Sequence, residues 1–154
     1  EYIRNLIIGK GLKREKIFES SELLKKYKIM TGGFFIMGFP EETPETLSET
    51  EKMMNELKLD RMGVSTAIPF PGTKLFEQVK RDNLLIESVN YEDLWKTPIS
   101  HAQHGFVIKP YDMSIDELVE WRVRLHAVND KYKGYNKKRW EAAASNGTAS
   151  NGVS

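Results

Sequence analysis

The chain of 154 residues contains no cysteine. Disulfide bonds are therefore excluded, and so is any metal or iron–sulfur site whose thiolate ligands would come from this chain. Charge of one sign is not in excess either, since 23 basic and 22 acidic residues leave a net charge of +1. Because a balanced charge offers no electrostatic attraction for nucleic acid or an acidic membrane surface, we expect neither as a partner.

Long apolar runs are also missing. The longest, from Phe34 to Phe39, includes a glycine and is far too short to cross a bilayer. Residues 1–5 carry no apolar run of the signal-peptide kind, so we expect a cytoplasmic protein. Apolar residues make up 40% of the chain and charged residues 29%, which is typical of a soluble globular domain with one core.

The first half of the chain alternates helical and strand patterns. Apolar positions at helical spacing, with lysines at the C-terminal end, predict a helix from Lys13 to Tyr27. Residues 30–37 are apolar on both faces, which is typical of a covered strand in a parallel sheet. After a turn, Thr43 as N-cap and Pro44 at the first helical position predict the start of a second helix.

A second strand and a third helix follow. Residues 62–70 alternate larger and small side chains, as strands do. Prolines at the end of this segment stop the strand, because proline cannot continue a central ladder. Thr73 can cap a short helix that runs to Arg81. The order helix, strand, helix, strand, helix predicts right-handed βαβ units and a parallel sheet.

The pattern is weaker in the following residues until one strong helix begins. Residues 84–86 predict a short strand, and residues 91–95 predict a turn of helix. Ser114 and Glu117, three residues apart, form a capping box that opens a long helix ending near Lys133.

The C-terminal residues have a different composition. Beyond Trp140 the side chains are small and polar, with repeated alanine, serine, asparagine and glycine. Such a segment buries little apolar area, so we expect residues 141–154 to be a disordered tail. The chain would then consist of an α/β region in residues 1–86, an extension with a long helix in residues 87–140, and this tail.

Two segments are placed where ligands bind in parallel α/β sheets, beyond the carboxyl ends of the strands. They are residues 38–43 and residues 69–73. Gly38 would let the backbone approach a ligand closely, and the amides before Thr43 would suit a carboxylate or phosphate. On spacing alone, we favour the interpretation that both segments are merely rigid turns between a strand and a helix.

Three segments together resemble a known family. Residues 9–12 read GKGL, residues 33–43 read GFFIMGFPEET, and residues 68–76 read IPFPGTKLF. They resemble the radical S-adenosylmethionine enzymes, especially the branch that often carries a cobalamin-binding domain. In that family G-F-P-G-E-T follows the fifth barrel strand and P-x-P-G-T-x-L-[YF] follows the sixth. The resemblance covers residues 4–86 and implies a partial (β/α) parallel barrel, a radical S-adenosylmethionine half-barrel, with a C-terminal helical extension.

The resemblance also implies a site for the nucleoside of S-adenosylmethionine. Residues of the first strand and its turn would flank the adenine, and the segment from Thr66 to Pro69 would close the other side. The cofactor-binding residues would be Phe35, Ile36, Gly38, Phe39, Pro40, Thr66, Ile68 and Pro69.

The family's redox cofactor would lie elsewhere. In these enzymes a C-x-x-x-C-x-x-C motif binds a [4Fe–4S] cluster, which chelates S-adenosylmethionine and cleaves it reductively to a 5′-deoxyadenosyl radical. Because this chain has no cysteine, the cluster ligands would belong to the rest of a parent polypeptide, which could also carry cobalamin. We assign no catalytic and no metal-binding residue here, and we expect the chain alone to be inactive.

The chain departs from the family pattern at two positions. Glu41 replaces the usual glycine of the turn, where a positive φ would strain a side chain. Lys28 stands where a glycine would cap the end of the first helix. Each substitution would cost about 1 kcal/mol if the backbone is unchanged.

Other chemical groups are less suggestive. His101 and His104 are three residues apart, but a zinc site needs three or four ligands, and no carboxylate set accompanies them. The adjacent pair Glu41 and Glu42 is interpreted as solvated turn charge rather than as an acid/base pair. The basic run 137–139 is interpreted as a solvated surface.

The sequence leaves three functions open. We favour part of a radical S-adenosylmethionine Fe–S oxidoreductase that supplies one side of the nucleoside pocket and a wall of the substrate site. The alternatives are an α/β binding or assembly module without radical chemistry, and a small anion-binding domain. Expected partners are the rest of the parent polypeptide, an unidentified small-molecule substrate and, through the edge of the strand in residues 30–37, further copies of the chain.

Overall fold

The computed structural model describes residues 9, 11–87, 89–94 and 105–148. Two strands and five α-helices occur in this part of the chain, with one 3-10 turn at Tyr91–Asp93. In chain order the elements are α1 (Arg14–Lys26), β1 (Gly32–Met37), α2 (Pro44–Leu57), β2 (Arg61–Thr66), α3 (Lys74–Arg81), α4 (Ile115–Tyr132) and α5 (Tyr135–Thr148). The predicted first five elements and the long helix are confirmed, but β2 ends at Thr66, so residues 67–70 of the predicted second strand belong to the loop that follows it.

The helix starts follow from local side-chain chemistry. At α2 the Thr43 hydroxyl accepts from the Thr46 amide at 3.3 Å, and the Thr46 hydroxyl accepts from the Thr43 amide at 3.0 Å. At α4 Ser114 and Glu117 form the predicted capping box. These side chains bind amides that have no partner within the helix, so each fixes the residue at which its helix begins.

The two strands are parallel and in full register, from Gly32 beside Arg61 to Met37 beside Thr66. The α/β fold with a parallel sheet is therefore confirmed. No third strand pairs with this sheet among the described residues, so the partial barrel stays a prediction. Because side chains alternate along a strand, one face of the sheet packs against helices and the other lies open.

The core consists of two clusters. The first joins β1, β2, α2 and α4, and its fully buried side chains include Met37, Leu47, Met54, Leu118 and Leu125. The second lies under α3 and joins Phe39, Ala67, Val79, Val107 and Ile108. The loops that follow the two strands run over this second cluster, which therefore supports them from below.

The segment after α3 forms less strand than expected. In the predicted strand 84–86, Leu85 forms a single antiparallel bridge with Ile108. The bridge is supported by the Ile86 amide, which donates to Val107 O at 3.1 Å, and the Lys109 amide, which donates to Leu84 O at 2.8 Å. This pairing is antiparallel and separate from the β1–β2 sheet.

The C-terminal prediction is wrong for part of the tail. Residues 141–148 belong to α5, where a disordered segment was expected. Alanine has the highest helix propensity, and the run Ala142 to Ala144 extends a helix that has already begun at Tyr135. The remaining tail, residues 149–154, lies outside the described residues.

Asp60 joins the start of α5 to the sheet. Its carboxylate accepts from the amides of Thr31, Asn136 and Lys137 at 2.9–3.2 Å, and it is fully buried. Burial by itself raises the pKa of Asp60, but the hydrogen bonds from Thr31, Lys137 and Asn136 outweigh it and lower the pKa below its ordinary value. Asp60 therefore caps α5 from outside the helix and ties the long C-terminal extension to the strands.

The two departures from the family pattern have different outcomes. Lys28 has φ +56°, and its amide donates to Lys25 O while the Ile29 amide donates to Leu24 O. This is a Schellman end with lysine in the place of glycine, as the sequence suggested. Glu41 does not have a positive φ; in this turn that conformation belongs to Gly38 at +85°, so the expected strain at Glu41 is wrong.

Among the described helices none is long and apolar enough to cross a membrane.

Candidate functional site

The two candidate loops leave the sheet side by side. Met37 and Thr66 are register partners at the carboxyl ends of β1 and β2, and the Ala67 amide donates to Met37 O at 2.8 Å. The turn 38–43 and the segment 67–73 therefore start from adjacent points on one edge of the sheet. This is the edge at which parallel α/β proteins bind ligands.

Gly38 is required at the start of the first loop. Its φ of +85° lies in the left-handed region, and a Cβ added there would meet the ring of Phe106 at 3.1 Å. Both observations exclude a larger side chain without local movement. Glycine is thus required here by the backbone conformation of the turn and by a side chain from the C-terminal extension.

Glu42 holds the same turn from inside. It is only 2% exposed; its Oε2 accepts from the Gly38 amide at 3.0 Å and its Oε1 from the Thr46 hydroxyl at 2.9 Å. Burial raises the pKa of Glu42 above its ordinary value, and these hydrogen bonds lower it only in part. The prediction of a solvated charge at Glu42 is therefore wrong, because the carboxylate replaces water as the acceptor for the turn.

The start of α2 offers little to an anion. The amides of Gly38, Glu42, Thr43 and Thr46 all donate to acceptors of the chain itself. The carboxylate of Glu42 is buried beside them, which places negative charge where an anion would have to bind. This arrangement weighs against the anion-binding alternative.

The eight cofactor-binding candidates do not all face the same way. Ile36 is 42% exposed on the open face of the sheet, next to its exposed register partner Ser65. Phe35 is partly buried against the first core cluster, on the helix side. The side chains of Ile36 and Phe35 thus lie on opposite faces of β1, and only Ile36 presents an apolar surface at the open face.

The other candidates support the loops. Phe39, Pro40 and Pro69 are buried, and Ile68 packs partly against the second core cluster. The Thr66 hydroxyl donates to Gly105 O at 2.8 Å, so its hydrogen is already used within the chain. These residues shape the site through packing and backbone position.

A segment that the sequence analysis did not single out crosses behind both loops. We call residues 105–111 the strap. Besides the contacts of Gly105 with Thr66 and of Phe106 with Gly38, the Tyr111 amide donates to Pro40 O at 2.9 Å. In sequence the strap looks like a loop with a few apolar residues, and no spacing rule points to its partners.

A polar network closes the outer side of the first loop. The side-chain amide of Gln78 donates to Glu41 Oε1 and to the Tyr111 hydroxyl, which in turn donates to the Asp82 carboxylate. The Arg81 guanidinium and the Tyr111 hydroxyl bind the Asp82 carboxylate and lower its pKa to about 2. Glu41 thus gains one partner on α3, Gln78, that a glycine in its place would lack.

Metal ligands are not assembled in the described part of the chain, where no group of three or more histidine, aspartate or glutamate side chains could hold an ion. His101 and His104 lie outside the described residues. His126 is exposed on α4. The chain supplies no thiolate ligand for an iron–sulfur cluster, because it has no cysteine.

A groove follows the outer edge of β1. Its volume is about 460 Å³, and residues of α1, β1 and α2 line it, among them Leu12, Ile17, Leu24, Phe34 and Met53. Phe34 is 88% exposed, with its ring over Gly63. The open face and this groove are the main apolar surfaces beside the candidate site.

The chain is similar to several curated proteins, although no protein-family model matches it. It is 37% identical over 79 residues to an uncharacterized methyltransferase of Pyrococcus horikoshii, which is 51% of this chain and 17% of that protein. It is 27% identical over 128 residues to bacteriochlorophyllide d C-12(1)-methyltransferase of Chlorobaculum tepidum, which is 82% of this chain and 25% of that protein. It is 30% identical over 102 residues to anaerobic magnesium-protoporphyrin IX monomethyl ester cyclase of Cereibacter sphaeroides, which is 66% of this chain and 15% of that protein.

These relatives support a radical S-adenosylmethionine-related family for the chain, at low identity and partial coverage. The chain spans between 15% and 25% of the length of the relatives described above. What those proteins do as a whole is therefore carried out by much more polypeptide than this chain contains.

Proposed function

We propose that this chain is part of a radical S-adenosylmethionine enzyme and supplies one side of its nucleoside pocket together with a wall of its substrate site. The observation that carries the proposal is the pairing of Met37 with Thr66. It brings the loops of two separately recognised motifs to one edge of a parallel sheet. Neither motif alone would support a site, but their juxtaposition at the position where such sheets bind ligands supports one.

The residues of this chain would bind and orient the cofactor. Ile36 would offer an apolar surface to the adenine, and Gly38 would let backbone groups approach the nucleoside. The segment from Thr66 to Pro69 would close the other side, held in place from behind by the strap. When bound to a [4Fe–4S] cluster, S-adenosylmethionine would supply radical chemistry, and the cysteines for that cluster would come from elsewhere in the polypeptide.

The names of the relatives are the basis for the proposed reaction of the whole protein. Two relatives are named as methyltransferases and one as a cyclase, and two of the three names contain a tetrapyrrole substrate. We infer a methyl transfer or a ring-forming reaction on an organic substrate, in an enzyme that could also carry cobalamin. The open sheet face around Phe34 and Ile36 would form part of the substrate wall.

The edge of β1 supports the proposal of an assembly partner. The Arg61 amide donates to Thr31 O and the Ala67 amide to Met37 O. Because bonding alternates along a parallel ladder, the peptide groups of Phe34 and Ile36 point to the outer edge. That edge would accept a strand from the rest of the polypeptide or, in its absence, from a second copy of this chain.

Ligand titration tests the proposed site. Adenosine and S-adenosylmethionine are added separately to the ¹⁵N-labelled chain, and amide shifts are followed by NMR. We expect weak binding by an incomplete pocket, with a Kd of about 1 mM or higher. Shifts should cluster at Ile36, Gly38 and Ile68 and should be similar for both ligands.

Inorganic phosphate is the matched control. Shifts that cluster at Thr43, appear with phosphate and are insensitive to adenosine would favour the anion-binding alternative. No response to adenosine at any concentration up to about 10 mM, a limit near −3 kcal/mol, would contradict the nucleoside site.

A further inference from the structure

The two candidate loops are held at a fixed distance by one segment of the C-terminal extension. The strap contacts the first loop at Gly38 and Pro40 and the end of β2 at Thr66. These contacts lie at both ends of the strap, through Gly105 and Phe106 at one end and Tyr111 at the other. A shift of the strap would therefore change the position of both loops together.

The strap is itself rigidly supported. Phe106, Val107 and Ile108 are buried, and Phe106 is 1% exposed within the first core cluster. The Arg122 guanidinium of α4 lies 5.2 Å from the centroid of the Phe106 ring, within the range of a cation–π contact. In the middle of the strap, Val107 and Lys109 form backbone hydrogen bonds with Ile86 and Leu84. The strap is thus fixed to both core clusters and to α4.

We propose that the strap, through Phe106, is the positioning element of the nucleoside site. The inference rests on the proposed function, since it assigns the strap a role in that site. Phe106 sits behind Gly38 and has almost no exposed surface, so a ligand at the open face cannot touch it. Any effect of Phe106 on ligand affinity must therefore pass through the position of the loops, the first of which the ring limits at Gly38.

The contacts also explain why the loop needs support from outside. Gly38 by itself does not hold its φ at +85°, because glycine adopts many conformations with similar energy. Glu42 fixes the turn from the helix side, and Phe106 limits it from the other side. With both in place the turn has one position relative to β2.

The test compares two variants that both remove volume from the first core cluster. Phe106→Leu takes the ring away from Gly38, whereas Leu125→Ala removes buried volume on α4. Thermal unfolding curves first define a temperature at which both variants are folded, and both readouts are measured there. The first readout is hydrogen exchange at the Tyr111 amide, which reports the bond to Pro40 O without any ligand. The second is the initial slope of the adenosine-induced shifts at Ile36 and Ile68.

We expect Phe106→Leu to speed Tyr111 exchange by about tenfold and to lower the adenosine slope by about fivefold, after correction for global stability. Leu125→Ala should change neither beyond its effect on stability. As a second pair, Thr66→Val, which removes the donor to Gly105 O, should lower the adenosine slope in the same way, and Thr66→Ser should restore it.

The outcomes separate the inference from the proposed function. If the wild type binds adenosine and both core variants behave alike, the strap has only a structural role and the inference is overturned. If the wild type does not respond to adenosine, the proposed function fails. In that case the exchange rate at Tyr111 still decides whether Phe106 positions the loop. Equal exchange rates in Phe106→Leu and Leu125→Ala would overturn that positioning role as well.

Discussion

Replacing Glu42 tests how the first loop is held. The residue is 2% exposed, and its carboxylate accepts from the Gly38 amide and the Thr46 hydroxyl. Glu42→Ala leaves the Gly38 amide buried without an acceptor, and an unsatisfied buried donor costs about 1–3 kcal/mol. Relief of the buried charge offsets part of this, so we expect a net loss of about 2 kcal/mol in the free energy of unfolding at pH 7.

Glu42→Gln separates the charge from the hydrogen bonds. The glutamine keeps an oxygen for the Gly38 amide without a buried charge, so we expect its stability within about 1 kcal/mol of the wild type. Burial raises the pKa of Glu42 from its ordinary value of 4.5. The unfolded chain therefore releases the proton first as pH rises, and the wild type loses stability relative to Glu42→Gln from about pH 4 up to the folded-state pKa.

The assay is urea unfolding followed by far-UV circular dichroism at several pH values. Glu45→Ala is the matched control, since Glu45 lies in the first turn of the same helix but is exposed. It should lose no more than about 0.5 kcal/mol. If Glu42→Ala and Glu45→Ala lose the same amount, or if the pH dependence has the opposite sign, the carboxylate of Glu42 does not hold the loop.

Three further changes test the fold. Asp60→Ala should lose about 3 kcal/mol in chemical unfolding, because it leaves buried donors unpaired, and a loss under 1 kcal/mol would contradict its role as an outside cap. Lys28→Gly should gain about 1 kcal/mol at φ +56°, whereas Lys26→Gly at the last residue of α1 should lose up to about the same amount. In sedimentation, Phe34→Lys should shift self-association toward monomer while staying folded, and Phe35→Lys should unfold the chain; a concentration-independent wild-type monomer would refute self-association.

The elements were predictable where local chemistry decides them. Thr43 with Pro44 and Ser114 with Glu117 begin helices through bonds within a few residues, and such bonds can be seen in sequence. The parallel pairing followed from the covered pattern of residues 30–37 and the helix between the strands. In the structure, however, one face of β1 is open, since Phe34 is 88% exposed. The apolar pattern predicts that a strand side chain is covered, but it does not identify the element that would cover it.

The contacts that hold the site were not predictable, because they join residues far apart in sequence. Asp60 meets Asn136 across 76 positions, and Phe106 meets Gly38 through packing that no period encodes. Glu42 looked like half of a charged turn, since neighbouring glutamates are usually solvated. Its burial depends on the curvature of the turn around Gly38, which brings the Gly38 amide back to a side chain four residues later.

The gene sequence on the 5′ side of the codon for Glu1 tests most directly whether this chain is part of a radical S-adenosylmethionine core. We expect the reading frame to continue upstream and to encode a C-x-x-x-C-x-x-C motif, preceded by one strand and followed by further strand–helix units of a barrel. An upstream frame that encodes an unrelated domain, or barrel units without the three cysteines, would contradict the proposed function.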